Sequence, residues 1–188
     1  MTVNLRSGWR RQNTAERRDG VVGSALEALP RVCEDRMDIC STAVPGARPA
    51  RREAALSGTG LTAAADPAFD RFAGLVRTVL DVPVVLVSLV ETDRQVFPGA
   101  AGLADPWDRR RQTPMSHSFC RHVVAGAAPL IVRDARTDPR VAGNPAITDL
   151  QVIGYAGLPL TDAAGTVLGS LCAIDHQPVT GPARSCGC

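Results

Sequence analysis

The chain has 188 residues, and its 21 basic residues, all of them arginine, against 19 acidic ones give a formal net charge of +2. This length suits one domain, and the near-neutral balance gives no support to a nucleic-acid partner. The longest strongly apolar run, Pro83 to Val90, is far shorter than the ~20 residues of a membrane span, and no signal-peptide core precedes it. We therefore expect a cytoplasmic protein with no membrane partner.

Residues 1–50 form an arginine-rich segment with few apolar side chains. Because such a segment buries too little apolar surface to offset its ordering entropy, we predict a disordered leader with at most a short helix near Ser24 to Leu29. A basic arm for RNA or DNA is the functional alternative, which the acids between the arginine clusters disfavour. A start codon assigned too far upstream would explain the segment equally well.

Two helices are predicted to open the folded region, residues 51–176. Arg52 to Leu56 forms a short one that stops before the glycines at 58 and 60. Asp66 can cap the next, and Pro67 suits its first position. Apolar side chains then recur at helical spacing and predict one face that covers a sheet: Phe69, Phe72, Leu75, Val76 and Val79.

The rest of the pattern predicts five strands and two short helices. The strands are Pro83 to Val90, Arg94 to Ala100, Pro129 to Asp134, Gly154 to Thr161 and Thr166 to Asp175. The helices are Phe119 to Ala125, capped by Ser118, and Pro145 to Leu150, capped by Asn144. Helices on one face of an antiparallel sheet make an α+β architecture, and the element order does not fit a doubly wound nucleotide-binding fold.

Six segments in this order resemble bacterial GAF domains, especially actinobacterial ones fused to signalling output modules. They are VPVVLVSLVETDRQVFPGAAGL, TPMSHSFCRHVV, PLIVRDARTDPR, NPAITDL, YAGLPL and GTVLGSLCAID. The resemblance implies a five- or six-stranded antiparallel sheet, with helices packed on one face and a loop-roofed ligand pocket on the other. It also implies terminal helices that pair as a homodimer and pass the state of the pocket to a phosphatase, histidine kinase or diguanylate cyclase.

The carboxyl end, residues 177–188, departs from the family pattern, in which a Trp-containing cap and a long helix follow the last strand. Back-translation of this tail with GC-rich codons, shifted in frame, yields DWTRAELRVL, a capped amphipathic helix start. We therefore hypothesise a frameshift near Gln177 to Val179 and hence a truncated regulator without its output module. A genuine short tail is the alternative, and the gene's nucleotide sequence decides between them.

For a ligand pocket the sequence offers apolar walls and a few polar groups near the loop side of the sheet. The candidates are Phe97, Trp107, Ser116, His117, Ser118, Phe119, Cys120, Asp134 and Tyr155. Such a mixture is typical of small-molecule sites. The alternative is that Phe97 and Tyr155 are core residues and that Trp107 closes a loop.

Two of the six cysteines, Cys120 and Cys172, are redox candidates. Cys120 falls in the first turn of a predicted helix, where the helix dipole favours a thiolate, although packing is the commoner role of a buried cysteine. A reducing compartment would keep all six as thiols. His117, Cys120 and His122, with Cys172 or His176, are weighed as metal ligands, but their spacing matches no known metal signature, so we predict no metal and no cofactor.

The function predicted from these observations is a GAF sensory module that binds a small molecule in bacterial signal transduction and is not an enzyme. Ser116 and Ser118 adjoin His117, but neighbours in sequence rarely face each other as a catalytic pair must. Asp134 and Asp138 are expected to make turn hydrogen bonds. The alternative is a redox sensor or a methionine-sulfoxide-reductase-like enzyme that uses Cys120 and Cys172, and sulfurs far apart would exclude this chemistry.

Overall fold

Six antiparallel strands form the sheet in the part of the chain that the computed structural model describes, residues 49–179. They are β1 (Val84–Val90), β2 (Arg94–Ala101), β3 (Gln112–Pro114), β4 (Leu130–Val132), β5 (Gly154–Thr161) and β6 (Val167–Asp175). Their order across the sheet is β3-β2-β1-β6-β5-β4, so the first and last strands pair at its centre. β1 is buried along its whole length, which explains why all its residues except Ser88 are apolar.

Five α-helices connect and cover these strands within the described residues. They are α1 (Pro49–Gly58), α2 (Pro67–Leu80), α3 (Trp107–Arg110), α4 (Cys120–Gly126) and α5 (Ala146–Asp149), with a 3₁₀ turn at Met115–His117. Among the described residues, no helix is long and apolar enough to cross a bilayer. The α+β antiparallel architecture predicted from the sequence is confirmed.

The two faces of the sheet carry different layers. On one face α1 inserts Leu56 against Leu89, Val96 and Leu168, and α2 packs Ala73 against the sheet. On the other face lies the largest core cluster, where side chains of β1, β2, β5 and β6 meet α4, α5 and the connecting loops. The fold thus has helices on one side and a layer of loops and short helices on the other, as the sequence resemblance implied.

α2 begins as predicted but packs differently. The Asp66 carboxylate accepts hydrogen bonds from the backbone N–H groups of Ala68 (2.8 Å) and Phe69 (3.3 Å). The predicted apolar face, however, does not lie on the sheet as a unit, because the helix turns the small Ala73 toward it, with Val76 and Leu80 alongside. The rest of that face is exposed: Phe72 by 45%, Leu75 by 63% and Val79 by 66%.

Other predicted boundaries need correction. The six strands fall within the five or six that the resemblance implied, but the strand pattern itself identified five and missed β3, because β3 is a three-residue edge strand with a proline and little apolar character. β4 is also shorter than predicted. Residues 1–48 and 180–188 lie outside the described residues, and with them most of the predicted leader, its helix at 24–29 and most of the tail. The last two residues assigned to the leader, Pro49 and Ala50, instead begin α1, which also runs past the predicted end at Leu56 to Gly58. At the start of that tail, the Val179 N–H donates to the Arg133 carbonyl at 2.9 Å.

Candidate functional site

A small cavity lies between the centre of the sheet and the roof above it, which consists of the 3₁₀ turn at Met115–His117, α4, α5 and the loop after α5. Twelve residues line it: Leu86, Gln95, Phe97, His117, Phe119, Cys120, Ala146, Leu150, Val152, Tyr155, Cys172 and Ile174. Its volume of about 20 Å³ holds one or two water-sized molecules. Of these twelve residues, His117 and Leu150 alone keep partial exposure, so the mouth of the cavity lies between them.

Two buried thiols meet at the wall of this cavity. Cys120 starts α4 and Cys172 lies in the middle of β6, and their Sγ atoms are 3.9 Å apart. The Tyr155 hydroxyl donates to Cys120 Sγ at 3.4 Å. Cys172 Sγ also lies 3.7 Å from the Leu86 carbonyl oxygen. The fold therefore brings together two thiols that stand 52 residues apart in the sequence.

The surroundings favour ionisation of one of these thiols. Hydrogen bonding with Cys172 is the largest cause that lowers the pKa of Cys120, and Tyr155, Ser88 and Ser170 add to it, so that the pKa falls to about 7 although burial opposes the shift. The same bond with Cys120, together with burial, raises the pKa of Cys172. Burial raises the pKa of Tyr155. The contact between the two thiols therefore favours loss of one proton from the pair, and the opposite directions of the two shifts favour Cys120 as the thiolate.

A buried polar network borders the thiols on the sheet side. The Gln95 side-chain oxygen accepts hydrogen bonds from the hydroxyls of Ser118 (2.7 Å) and Ser88 (3.4 Å), and its amide nitrogen donates to Thr113 (2.7 Å). Ser118 also accepts a hydrogen bond from the Arg121 N–H at 3.1 Å, which caps the start of α4. This network fixes Gln95 at the cavity wall and holds α4 above it.

His117 is held at the mouth of the cavity by polar contacts on both ring nitrogens. Its Nδ1 lies 3.0 Å from the Ser116 hydroxyl, and its Nε2 lies 3.0 Å from the Asp149 carboxylate on α5. The expectation that Ser116 and His117 do not face each other was wrong, because the tight 3₁₀ turn brings the hydroxyl back onto the ring. Trp107 supports the other side of the imidazole, with 5.7 Å between the ring centroids.

The structure unites part of the predicted ligand site. Phe97, His117, Phe119, Cys120 and Tyr155 all line the cavity. Trp107, Ser116 and Ser118 lie one layer away and contact lining residues instead. The alternative role predicted for Phe97 and Tyr155 also has support, since both are buried in the main core.

Asp134 is not among the residues that line this cavity, so its place in a ligand site stays a prediction. Its carboxylate accepts the Arg136 N–H at 3.0 Å and pairs with the Arg136 guanidinium at 2.7 Å. Asp138 does the same with Arg140. Both acids therefore make the turn hydrogen bonds that the sequence predicts.

The residues that the sequence analysis considered as metal ligands do not all lie together. His122 contacts Arg121, and His176 contacts the Gln151 carbonyl oxygen at 3.0 Å, so neither joins the thiols. Within residues 49–179 no group of three His, Cys, Asp or Glu side chains is gathered as a metal ion would need.

Several lining residues were missed by sequence reasoning. Gln95 is a polar residue in a strand whose burial depends on the partner strands, and Leu150 and Val152 stand in a loop with no periodic signal. The alternation along β6, in which Ser170, Cys172 and Ile174 share one face, was the signal available for Cys172 and Ile174.

The sequence matches the GAF domain family over residues 64–184, more than half of the chain. The chain therefore belongs to the GAF domain family. It is similar to a cyclic di-GMP phosphodiesterase of Pseudomonas aeruginosa, with 36% identity over 115 residues that cover 61% of this chain and 19% of that protein. The match thus spans about a fifth of the length of this relative. GAF domains of this kind are sensory and regulatory parts of bacterial signalling proteins.

Two solved structures illustrate the likeness in fold. The GAF domain of an Acinetobacter phosphoenolpyruvate-protein phosphotransferase has 16% identity and a TM-score of 0.47, with 69% of this chain and 75% of that chain covered. The free methionine-R-sulfoxide reductase of Neisseria meningitidis, solved with its substrate, has 16% identity and a TM-score of 0.48, with 71% and 74% covered.

Proposed function

We propose that this GAF domain binds a small molecule at the cavity under α5 and passes its occupancy to a signalling output enzyme, without catalysis of its own. The observation that carries the proposal is the cavity itself, which combines aromatic walls from Phe97 and Phe119 with polar groups from Gln95, His117 and Tyr155. Small-molecule sites are built from this mixture of an apolar lining and a few directed polar groups.

Binding of anything larger than a few atoms requires the roof to move. The cavity holds about 20 Å³, and its roof is tied down by the His117–Asp149 contact at 3.0 Å and by the Asn144 amide on the Ser118 carbonyl at 3.5 Å. The His117–Asp149 contact is exposed, whereas the Asn144–Ser118 contact is buried, so a ligand would displace the first at lower cost than the second. The roof is therefore the element that would report occupancy, because ligand and closed roof compete for the same space.

The relative from Pseudomonas aeruginosa suggests the kind of output. It is named as a cyclic di-GMP phosphodiesterase, and this chain matches a fifth of its length or less. We infer that the domain controls an enzyme of cyclic-dinucleotide turnover or a comparable signalling enzyme, either in the same polypeptide or on a partner protein.

A homodimer through the helical side of the sheet belongs to the same proposal. α2 exposes Phe72, Leu75 and Val79, which stand on one stripe at helical spacing, and a second copy of the helix would cover them.

We expect Leu75→Glu to shift the chain toward monomer, because it places a charge in that stripe. Thr78→Glu, an exposed change on the same helix, is the matched control and should leave the association unchanged. Sedimentation velocity measures both, and a monomeric parent chain contradicts the dimer.

Ligand binding is tested by native mass spectrometry of the chain purified from cells, compared with an Ala146→Leu variant. Ala146 lines the cavity and is 2% exposed, so a larger side chain there should fill the space and abolish a retained adduct. Ala125→Leu, an exposed change on α4, is the control and should keep it. An adduct that survives Ala146→Leu, or none in the parent after incubation with a cell metabolite extract, would overturn the proposal.

One observation favours a second candidate function, a redox sensor or enzyme that uses Cys120 and Cys172. The thiols of Cys120 and Cys172 are in contact at 3.9 Å, which meets the condition for their joint chemistry. A methionine-sulfoxide-reductase-like reaction would, like the binding of any larger ligand, require the roof to move before the substrate could reach the thiols.

A further inference from the structure

The two thiols form a couple that packing alone does not account for. Cys120 and Cys172 are 3% and 1% exposed, and they lie on different elements whose sulfurs touch at 3.9 Å. A pair of cysteines used only to fill space needs no hydrogen-bond donors. Here Cys120 Sγ has such a donor, because the Tyr155 hydroxyl donates to it at 3.4 Å. Such donors stabilise negative charge on sulfur, which is the reactive form of a thiol.

The cavity gives this couple access to one class of reactant. Both cysteines and Tyr155 are among its lining residues, and its volume is about 20 Å³. A molecule with two heavy atoms, such as hydrogen peroxide, fits this space, since one water needs ~10–15 Å³ by the same measure. Larger oxidants are excluded while the His117–Asp149 contact closes the mouth. The site is therefore selective by size.

We propose that Cys120 and Cys172 are a peroxide-sensitive thiol couple, in which hydrogen peroxide entering the cavity converts the two thiols into an intramolecular disulfide. The proposal does not depend on the binding of an organic ligand to the domain. It concerns the same cavity, so it adds a second input to the proposed sensor.

The reaction proceeds in two balanced steps. The Cys120 thiolate attacks one oxygen of hydrogen peroxide, an S–O bond forms, the O–O bond breaks, and the departing hydroxide takes up a proton to become water. The Cys172 sulfur then attacks the sulfenic sulfur of Cys120, the S–S bond forms, the S–O bond breaks, and the hydroxyl group leaves with the Cys172 proton as a second water. Two thiols lose two electrons in total, and one peroxide is reduced to two waters.

The disulfide would change the site mechanically. A bonded pair has its sulfurs ~2.05 Å apart, so the two Sγ atoms, 3.9 Å apart in the reduced protein, must move closer together. The Tyr155 hydroxyl then loses the thiol that accepts its hydrogen bond at 3.4 Å. Oxidation therefore reshapes the wall of the cavity and ties a roof helix to the central strand.

The test uses the full chain with Cys33, Cys40, Cys186 and Cys188 replaced by serine, so that Cys120 and Cys172 are the remaining thiols. The folded protein is treated with equimolar hydrogen peroxide, and its peptides are analysed by mass spectrometry without reduction. We expect one peptide that joins the two cysteines, the loss of two hydrogens, and a monomeric band on a non-reducing gel. Thiols that react in urea but stay reduced in the folded chain would overturn the proposal, and so would a disulfide between chains.

Three variants separate the roles. Cys172→Ser should accumulate a sulfenic acid on Cys120 that dimedone traps, and Cys120→Ser should leave Cys172 reduced on the same time scale. Tyr155→Phe keeps the ring and removes one donor, so oxidation at pH 7 should slow by about tenfold and its pH profile should move upward. An unchanged profile in Tyr155→Phe, with the fold verified by circular dichroism, would contradict activation of Cys120 by this hydroxyl.

Discussion

Tyr155 owes its position to a glycine two residues further along the same strand. Its ring packs against Phe119 with 5.2 Å between the centroids, and its hydroxyl reaches Cys120. Residues 155 and 157 face the same side of β5, and a methyl group at Gly157 would overlap the Tyr155 ring and hydroxyl. The absence of a side chain at 157 therefore gives the tyrosine its room.

We predict that Gly157→Ala destabilises the domain by about 1–3 kcal/mol, because overpacking forces the buried tyrosine off its place. Gly74→Ala is the matched control: it lies in α2, and a methyl group there meets nothing within 4 Å. That change should stabilise the domain by about 0.5–1 kcal/mol through helix propensity. Urea unfolding measures both, and equal signs for the two variants would contradict the explanation.

For single residues, the sequence could predict which side chains lie in the site, but it could not predict that Cys120 and Cys172 are in contact. The sequence pattern shows which aromatic residues are buried and which lie near the loop side of the sheet. It therefore identified Phe97, Phe119 and Tyr155 as candidates for the pocket. The contact between Cys120 and Cys172 depends on the register of β6 with β1 and on the height of α4 above the sheet, neither of which has a local signal. Gln95 was missed because a polar residue in a strand is expected to face solvent unless a network satisfies it.

Among the contacts between elements, one ion pair ties α2 to the segment before β3. Arg111 Nη1 lies 2.6 Å from Asp70 Oδ1, the Arg111 side chain is 13% exposed, and the Ala100 N–H also donates to Asp70 at 2.9 Å. Burial would raise the pKa of Asp70, but the hydrogen bonds from Arg111 and Ala100 outweigh it, so the pKa lies below its ordinary value. The pair therefore stabilises the folded state when Asp70 is ionised.

We predict that Asp70→Asn lowers the free energy of unfolding at pH 7 by about 1–2 kcal/mol, since a charge-assisted pair is lost at a partly exposed site. Because the folded pKa is depressed, this contribution is present above pH ~4 and disappears as the pH falls through the folded value. Unfolding curves of both proteins should therefore converge in acid. Asp134→Asn, at the exposed Arg136 pair, should cause a smaller change, and a larger one would contradict this ranking.

The elements themselves were largely predictable, and the exceptions have physical causes. Long apolar runs marked β1, β5 and β6, and the Asp66-Pro67 start marked α2. β3 escaped because three residues give no period to detect. The orientation of α2 escaped because helical spacing shows which residues share a face, whereas the contact with the sheet is decided by the small Ala73.

For the molecule as a whole, the roof over the cavity is notable for its short elements. α5 has four residues, and its exposed Asp149 carboxylate contacts His117 at the mouth of the cavity. Short elements with few buried contacts open at lower free energy than the sheet beneath them. Access to the thiols for reagents larger than the cavity should therefore be limited by opening of the roof.

We predict that Asp149→Ala speeds hydrogen exchange in residues 144–152 several-fold and accelerates alkylation of Cys120, because the mouth loses the contact that closes it. Thr148→Ala, an exposed change on the same helix, should leave both rates unchanged. Mass spectrometry reads exchange and alkylation in one experiment. Identical rates in Asp149→Ala and the parent would show that the contact does not control access.

The strand order also determines when the sheet can be completed during synthesis of the chain. Val84 of β1 pairs with Ile174 of β6, roughly 90 residues later, so the centre of the sheet closes last during synthesis on the ribosome. Until then the nascent chain carries the β1–β2 hairpin with one apolar edge unpaired, and such an edge can add a strand from another molecule. Pairing over this separation is slow compared with local hairpin formation. The interval between the two strands is therefore the period in which newly made chains are most prone to aggregate and most in need of a chaperone.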